Sequence, residues 1–251
     1  MTEIIPALMP KHFEELEDKL SLVDGLASMV QLDVMDGDFV DNVSWPYVAG
    51  GKKKGHSEYE RHFVDIVAEH EDFPLWETVD FEVDLMISSP ENAWRDWVAA
   101  GAKRIIIHLE SMKDDAALVN LLKEMRAEVP IKESFLHVEI GVAINPSTPN
   151  ETIYPLIEAE LVDFVQFMGI ERIGFQGEKF DERVLDKIRD VRTRFPDVTI
   201  SVDGSVNADT APELVAAGAD RLAVGSAIFA PGADENDIAA AMDELYAAIG
   251  E

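Results

Sequence analysis

Short apolar runs alternate with helix-patterned stretches along the whole chain, and this alternation restricts the fold more than any other feature of the sequence. The apolar runs lie at 4–7, 30–34, 79–86, 104–108, 138–144, 164–168, 198–202 and 221–224. Helical spacing fills the intervals. It is seen in Phe13, Leu16 and Leu20, then over 58–70, 90–100 and 114–128, around 151–159, over 181–194 with Val184, Leu185, Ile188 and Val191 on one stripe, and over about 209–217 and 234–249. Strand–helix units of roughly 30 residues predict an α/β fold, a single (β/α)8 TIM barrel of parallel strands over residues 1–251. An internal echo agrees: AAGAKRIII from Ala99 and AAGADRLAV from Ala216 are both a helix end, a Gly-Ala turn and a strand start, about half the chain apart. Glycine suits a helix C-terminus in any case, so the echo is also compatible with convergent turn chemistry.

Composition excludes several function classes. The chain lacks cysteine, which rules out disulfides, thiolate metal sites and cysteine nucleophiles. No apolar run reaches membrane length and the N-terminus has no signal pattern, so a cytoplasmic protein with no membrane partner is expected. The formal net charge of −29 argues against nucleic acid, whose phosphates it would repel. Such a surface favours solubility, and an anionic ligand would have to be held by local groups.

Two of the predicted strands deliver an aspartate at the carboxyl end. Asp33 closes one, with Asp36-Gly37 just after it; Asp203-Gly204-Ser205 closes the other. In a parallel barrel those ends share the face where chemistry sits. Two carboxylates on opposite sides of a flat enediolate can take a proton from carbon and return one to the other face. The plainer alternative is that Asp-Gly after a strand is turn chemistry. Glycines recur at the ends of the last three strands, in Gly174-Phe175-Gln176-Gly177, Gly204-Ser205 and Gly225-Ser226, where late barrel loops often form a phosphate cup of backbone N–H groups. The long connection at about 36–57, holding Trp45-Pro46-Tyr47 and Lys52, Lys53 and Lys54, reads as a lid or an assembly element, with the lysines as a solvated loop tip or as cations that close over an anionic substrate.

Several segments together resemble the ribulose-phosphate 3-epimerase family of the ribulose-phosphate-binding barrels. They are LDVMDGDFVDN from Leu32, DLMISSPE from Asp84, HLE from His108, GVAINPSTP from Gly141, GFQGEKF from Gly174, VDG from Val202, and Gly218-Ala219-Asp220 through Gly225-Ser226-Ala227-Ile228-Phe229, in the family's order. The resemblance implies that Asp33 and Asp203 are the acid–base pair that epimerises C3 of a ketopentose 5-phosphate, with no organic cofactor. It also implies that Met35, Met86 and Met168 line the reacting face, that His108 occupies a family position, and that Gly174, Phe175, Gln176, Gly177, Gly204, Ser205, Gly225 and Ser226 bind the phosphate. A homo-oligomer is expected on the same ground.

The departures from the family pattern bear on the chemistry. Gln31 and Asp84 stand where the family has histidines that bind a divalent metal with the two aspartates. Gln31, Asp33, Asp84 and Asp203 form an all-oxygen set that suits Mg²⁺ or Mn²⁺ better than Zn²⁺. The alternative is no metal and one carboxyl kept protonated. Ala7 replaces a serine, Ser205 a glycine, and Arg172-Ile173 a Pro-Gly pair. Arg172 reads as a solvated loop arginine or as a cation for the phosphate. The expected activity is therefore that of an epimerase-like isomerase. The alternatives are a non-catalytic sugar-phosphate-binding barrel, or an isomerase or lyase acting on another sugar phosphate.

Overall fold

Each strand presents alternate side chains to opposite faces, and in this protein the two faces have different chemistry. The computed structural model describes residues 2–48, 59–129, 137–175 and 177–250. Its strands are β1 (Glu3–Leu8), β2 (Met29–Met35), β3 (Asp80–Met86), β4 (Arg104–His108), β5 (Glu139–Ile144), β6 (Phe164–Met168), β7 (Thr199–Asp203) and β8 (Arg221–Val224). They pair in chain order, all parallel, and β8 closes on β1. The expected (β/α)8 barrel is the fold found.

The helices are α1 (Phe13–Val23), α2 (Arg61–Val67), α3 (Pro90–Ala99), α4 (Asp115–Glu128), α5 (Tyr154–Glu158), α6 (Arg183–Arg194), α7 (Ala211–Ala217) and α8 (Glu235–Ile249). None is long and apolar enough to cross a membrane. Two are shorter than their sequence pattern. The stretch 58–70 ends early because the chain turns through Glu69 at a φ of 57°. The stretch 151–159 splits into a 3-10 turn, Asn150–Thr152, and α5, with Pro155 in the first helical turn, where its missing N–H does no harm.

Outward-facing residues such as Val30, Leu32, Val34, Ile105, Ile107, Val165 and Phe167 are buried between barrel and helices. The inward face is stacked in layers. At the amino end lies an ionic floor, in which Arg104 meets Glu82 at 2.9 Å, Glu3 at 3.0 Å and Glu139 at 3.5 Å, and Arg221 meets Glu139 at 2.8 Å and Glu3 at 3.3 Å. Above it the Phe164 ring fills the barrel, resting on the Arg221 guanidinium 5.1 Å away. A Cβ on Gly141 would fall 2.3 Å from that ring, so only glycine leaves it room.

The described part of the long connection is anchored to the barrel. Ser44 donates its N–H to the Met35 carbonyl and its hydroxyl to the Asp33 carbonyl. Trp45 follows, buried among Phe13, Phe63, Phe73 and Trp97. Lys52, Lys53 and Lys54 lie outside the described residues.

Candidate active site

Strand register brings the site together. Asp33 on β2 is level with Asp84 on β3, and two residues on Met35 is level with Met86. Met168 on β6 is level with Asp203 on β7, which is level with Ala223 on β8. Carboxylate oxygens of Asp33, Asp84 and Asp203 lie within 4.8 Å of one another at the carboxyl end of the barrel. At that separation each pair of full negative charges repels by roughly 3 kcal/mol in a medium of effective dielectric about 20. A shared proton or a cation relieves that repulsion.

A belt of buried amides, an imidazole and a hydroxyl holds the carboxylates. Gln31 donates its amide N–H to Asp33 Oδ1 at 2.9 Å. His108 Nε2 lies 2.8 Å from Asp84 Oδ1, and Gln166 donates to Asp84 Oδ2 at 3.2 Å. Ser201 in turn donates to Gln166 Oε1 at 3.2 Å. Gln166 and Ser201 escaped the sequence reading. Their only signal was a polar residue on the inward phase of an apolar strand.

Protonation follows from this packing. Burial, then repulsion from Asp203 and Asp84, drives the Asp33 carboxyl well above the usual carboxylate range. Burial and Asp84 push Asp203 up to about 7. Burial pulls the His108 imidazole down, but Asp84, with smaller pulls from Glu110 and Asp203, outweighs it, and the net shift is upward.

A cavity of about 330 Å³ opens above Asp33 and Asp203, with Met86 and Met168 in its wall and Ala7 and Ala223 beneath. Gly174, Phe175, Gly177, Gly204, Ser205, Gly225 and Ser226 border it on the opposite side. Gln176 lies outside the described residues. Met35 is fully buried behind this wall, where a Cβ on Gly174 would lie 3.1 Å from its sulfur. His108, Gln31 and Asp84 are likewise fully buried and do not line the cavity. The loops after β6 and β7 approach closely: Gly169 donates to the Asp203 carbonyl at 2.6 Å, and a Cβ on Gly169 would sit 2.1 Å from the Gly204 oxygen.

Asp36, adjacent in sequence to this site, has a different task. Its Oδ1 accepts from the N–H groups of Asp38 and Phe39, and its Oδ2 from the N–H and hydroxyl of Ser88. It ties the loop after β2 to the loop after β3. Asn42 extends the tie across the top, donating to the Gly174 carbonyl at 2.6 Å.

The donor set fits a hard divalent cation. Three carboxylates converge, and the buried Gln31 Oε1 has no hydrogen-bond partner. An all-oxygen group of this kind suits Mg²⁺ or Mn²⁺.

The fold recurs in solved structures. It aligns with 3-hexulose-6-phosphate synthase from Salmonella typhimurium at a TM-score of 0.64 and 15% identity, covering 99% of this chain and 98% of that one. It aligns with KGPDC from Streptococcus mutans at a TM-score of 0.65 and 13% identity, covering 99% of both. Sequence relatives are nearer. The ribulose-phosphate 3-epimerase of Bacillus subtilis is 30% identical, covering 91% of this chain and 93% of that one. The enzyme of the same name from Escherichia coli K12 is 29% identical over 96% of this chain and 93% of its own length. Residues 3–229 match the Ribulose-phosphate 3 epimerase family, and by that match the chain belongs to it.

Proposed function

We propose that the protein epimerises C3 of a ketopentose 5-phosphate, with Asp33 and Asp203 as the proton-transfer pair. The observation that carries this reading is that these two carboxyls border one cavity and lie within 4.8 Å of each other, where burial and repulsion among the clustered carboxylates push both above the ordinary aspartate range. Near neutral pH the pair holds one carboxyl protonated and one ionised, which is the state an epimerase needs. The ionised group removes the C3 proton, leaving an enediolate. The protonated group then delivers its own proton to the opposite face, inverting the carbon. The pair ends in the mirror-image protonation state, ready for the reverse reaction.

The rest of the site supports that chemistry. The thioether walls of Met86 and Met168 keep the reacting carbon away from water, which maintains the raised carboxyl pKa values. Glycine-lined backbone at Gly204, Gly225, Gly174 and Gly177 lets a phosphate approach N–H groups closely, with Ser205 and Ser226 beside it. Gln31, Asp33, Asp84 and Asp203 would hold a divalent cation, whose charge would stabilise the developing enediolate.

Proton NMR of ribulose 5-phosphate with the protein in D₂O tests the reading, metal-stripped and then with Mg²⁺, Mn²⁺ or Zn²⁺ added. The expected result is loss of the C3 proton signal, abolished in Asp33→Asn and Asp203→Asn. Retention of that signal under every metal would overturn it.

A further inference from the structure

Charge is unfavourably distributed for an anionic substrate. The chain carries a formal charge of −29, and three carboxylates converge under the cavity. None of the described residues lining that cavity is Lys or Arg. Backbone N–H groups bind a phosphate at contact but exert little pull at a distance, whereas a full positive charge at the rim does both.

Arg172, in the loop after β6, is placed for that task. Its guanidinium lies 3.6 Å from the centre of the Phe175 ring, and Phe175 lines the cavity. Its Nη1 is 3.6 Å from Oε1 of Glu178, another lining residue, and its Nη2 is 4.0 Å from Oδ2 of Asp41. Both contacts are longer than the roughly 2.8 Å of a charge-assisted hydrogen bond. The ring therefore orients the guanidinium, while the two carboxylates hold its N–H donors only at these longer distances. Asp41 is 89% exposed and competes only weakly for them. Two other basic groups nearby, Arg183 and Lys187, are engaged. Arg183 is bound to Asp181 and Glu171, and Lys187 donates to the Asn145 carbonyl at 2.9 Å.

We infer that Arg172 is a substrate-binding residue, capturing the phosphate of the sugar phosphate at the rim of the cavity with a guanidinium stacked on Phe175, in exchange for its long contacts to Glu178 and Asp41. The inference rests on the sugar-phosphate reading above. It gives this chain a side-chain cation in addition to the glycine-rich backbone.

Two measurements test it, on the wild type, Arg172→Ala and Arg172→Lys. In steady-state turnover of ribulose 5-phosphate, Arg172→Ala should raise KM about tenfold with a much smaller change in kcat, and Arg172→Lys should recover part of the loss, since charge returns without the planar fork. The wild-type KM should also rise with salt more steeply than that of Arg172→Ala. Separately, phosphorus-31 NMR of inorganic phosphate reads binding without turnover. Wild-type binding that weakens in Arg172→Ala supports the inference even if ribulose 5-phosphate is not turned over, in which case only the epimerase assignment fails. Equal binding by wild type and Arg172→Ala, or an unchanged KM, overturns it. Failure of the wild type to bind phosphate at all overturns both.

Discussion

His108 Nε2 lies 2.8 Å from Asp84 Oδ1, and neither side chain is exposed to solvent. Among the described residues, Asp33 and Asp203 have no such ion-pair partner. One of three clustered carboxylates is thus supplied with an imidazole partner from β4, while the other two are left to share a proton or a cation. The asymmetry sets Asp84 apart from Asp33 and Asp203, the pair to which the proposed proton transfer is assigned. Gln166 and Ser201 fix the far side of Asp84, so its orientation is set by β4, β6 and β7 together.

Removing His108 should therefore destabilise the barrel. His108→Asn leaves the buried Asp84 carboxylate without its imidazole partner, and breaking a buried pair typically costs about 3 kcal/mol. Urea unfolding of His108→Asn, Asp84→Asn and the double variant measures the coupling. A double variant more stable than the sum of the single effects is expected. Simple additivity would mean that the two groups do not act as a pair.

The raised carboxyls predict how stability depends on pH. A carboxyl whose folded pKa exceeds its unfolded value of about 3.9 binds protons more tightly in the native state, so stability falls as pH rises between the two values. Asp203 sits at about 7, and burial, against the pull of Arg104, takes Glu82 in the floor to about 7 as well. His108, raised too, contributes stability that is complete below its unfolded pKa and lost as pH rises through its folded one. All three act in one direction. Metal-stripped protein should be more stable at pH 5 than at pH 8, and Asp203→Asn and Glu82→Gln should each flatten that slope. A slope unchanged in both variants would refute this assignment.

Gly141→Ala tests the packing of the barrel interior. The added methyl would sit 2.3 Å from the buried Phe164 ring, which is confined below by Arg221. Overpacking of this kind costs about 1–3 kcal/mol. A lowered melting temperature is expected, with much of it restored by Gly141→Ala/Phe164→Leu. A Gly141→Ala protein as stable as wild type would mean that the ring has somewhere to move.

The barrel was legible in the sequence because its signal is repeated. Each strand has strong apolar patterning, and helix-breaking chemistry such as Gly101 and Gly218 marks the turns. Sequence reading located β4, β6 and β8 to the residue, whereas α2 and α5 were overestimated, since the left-handed Glu69 and the 3-10 turn at Asn150 have no periodic signature. The convergence of Asp33, Asp84 and Asp203 was legible from strand ends and family motifs. What could not be read was the support beneath them. The bonds from His108 to Asp84 and from Gln166 to Asp84 join residues far apart in sequence, and they depend on barrel closure and register. Asp36 shows the limit from the other side. It follows Asp33 by three residues in the most distinctive motif of the chain, yet its hydrogen bonds make it a tie between loops.

Metal selectivity offers a test in which ligand chemistry is changed at one position. Amide and carboxylate oxygens at Gln31, Asp33, Asp84 and Asp203 form a hard donor set, whereas an imidazole at residue 31 would favour a borderline ion. Gln31→His should therefore increase affinity for Zn²⁺ relative to Mn²⁺ by about tenfold, as the family's usual histidine at this position implies. Calorimetric titration of metal-stripped protein with each ion reads this without any turnover. Binding should weaken as pH falls, because protons compete with the ion for the carboxylate oxygens of the cluster. A Zn²⁺-to-Mn²⁺ ratio unaffected by Gln31→His would remove Gln31 from the ligand set, and would leave its amide N–H to Asp33 as its contribution to the site.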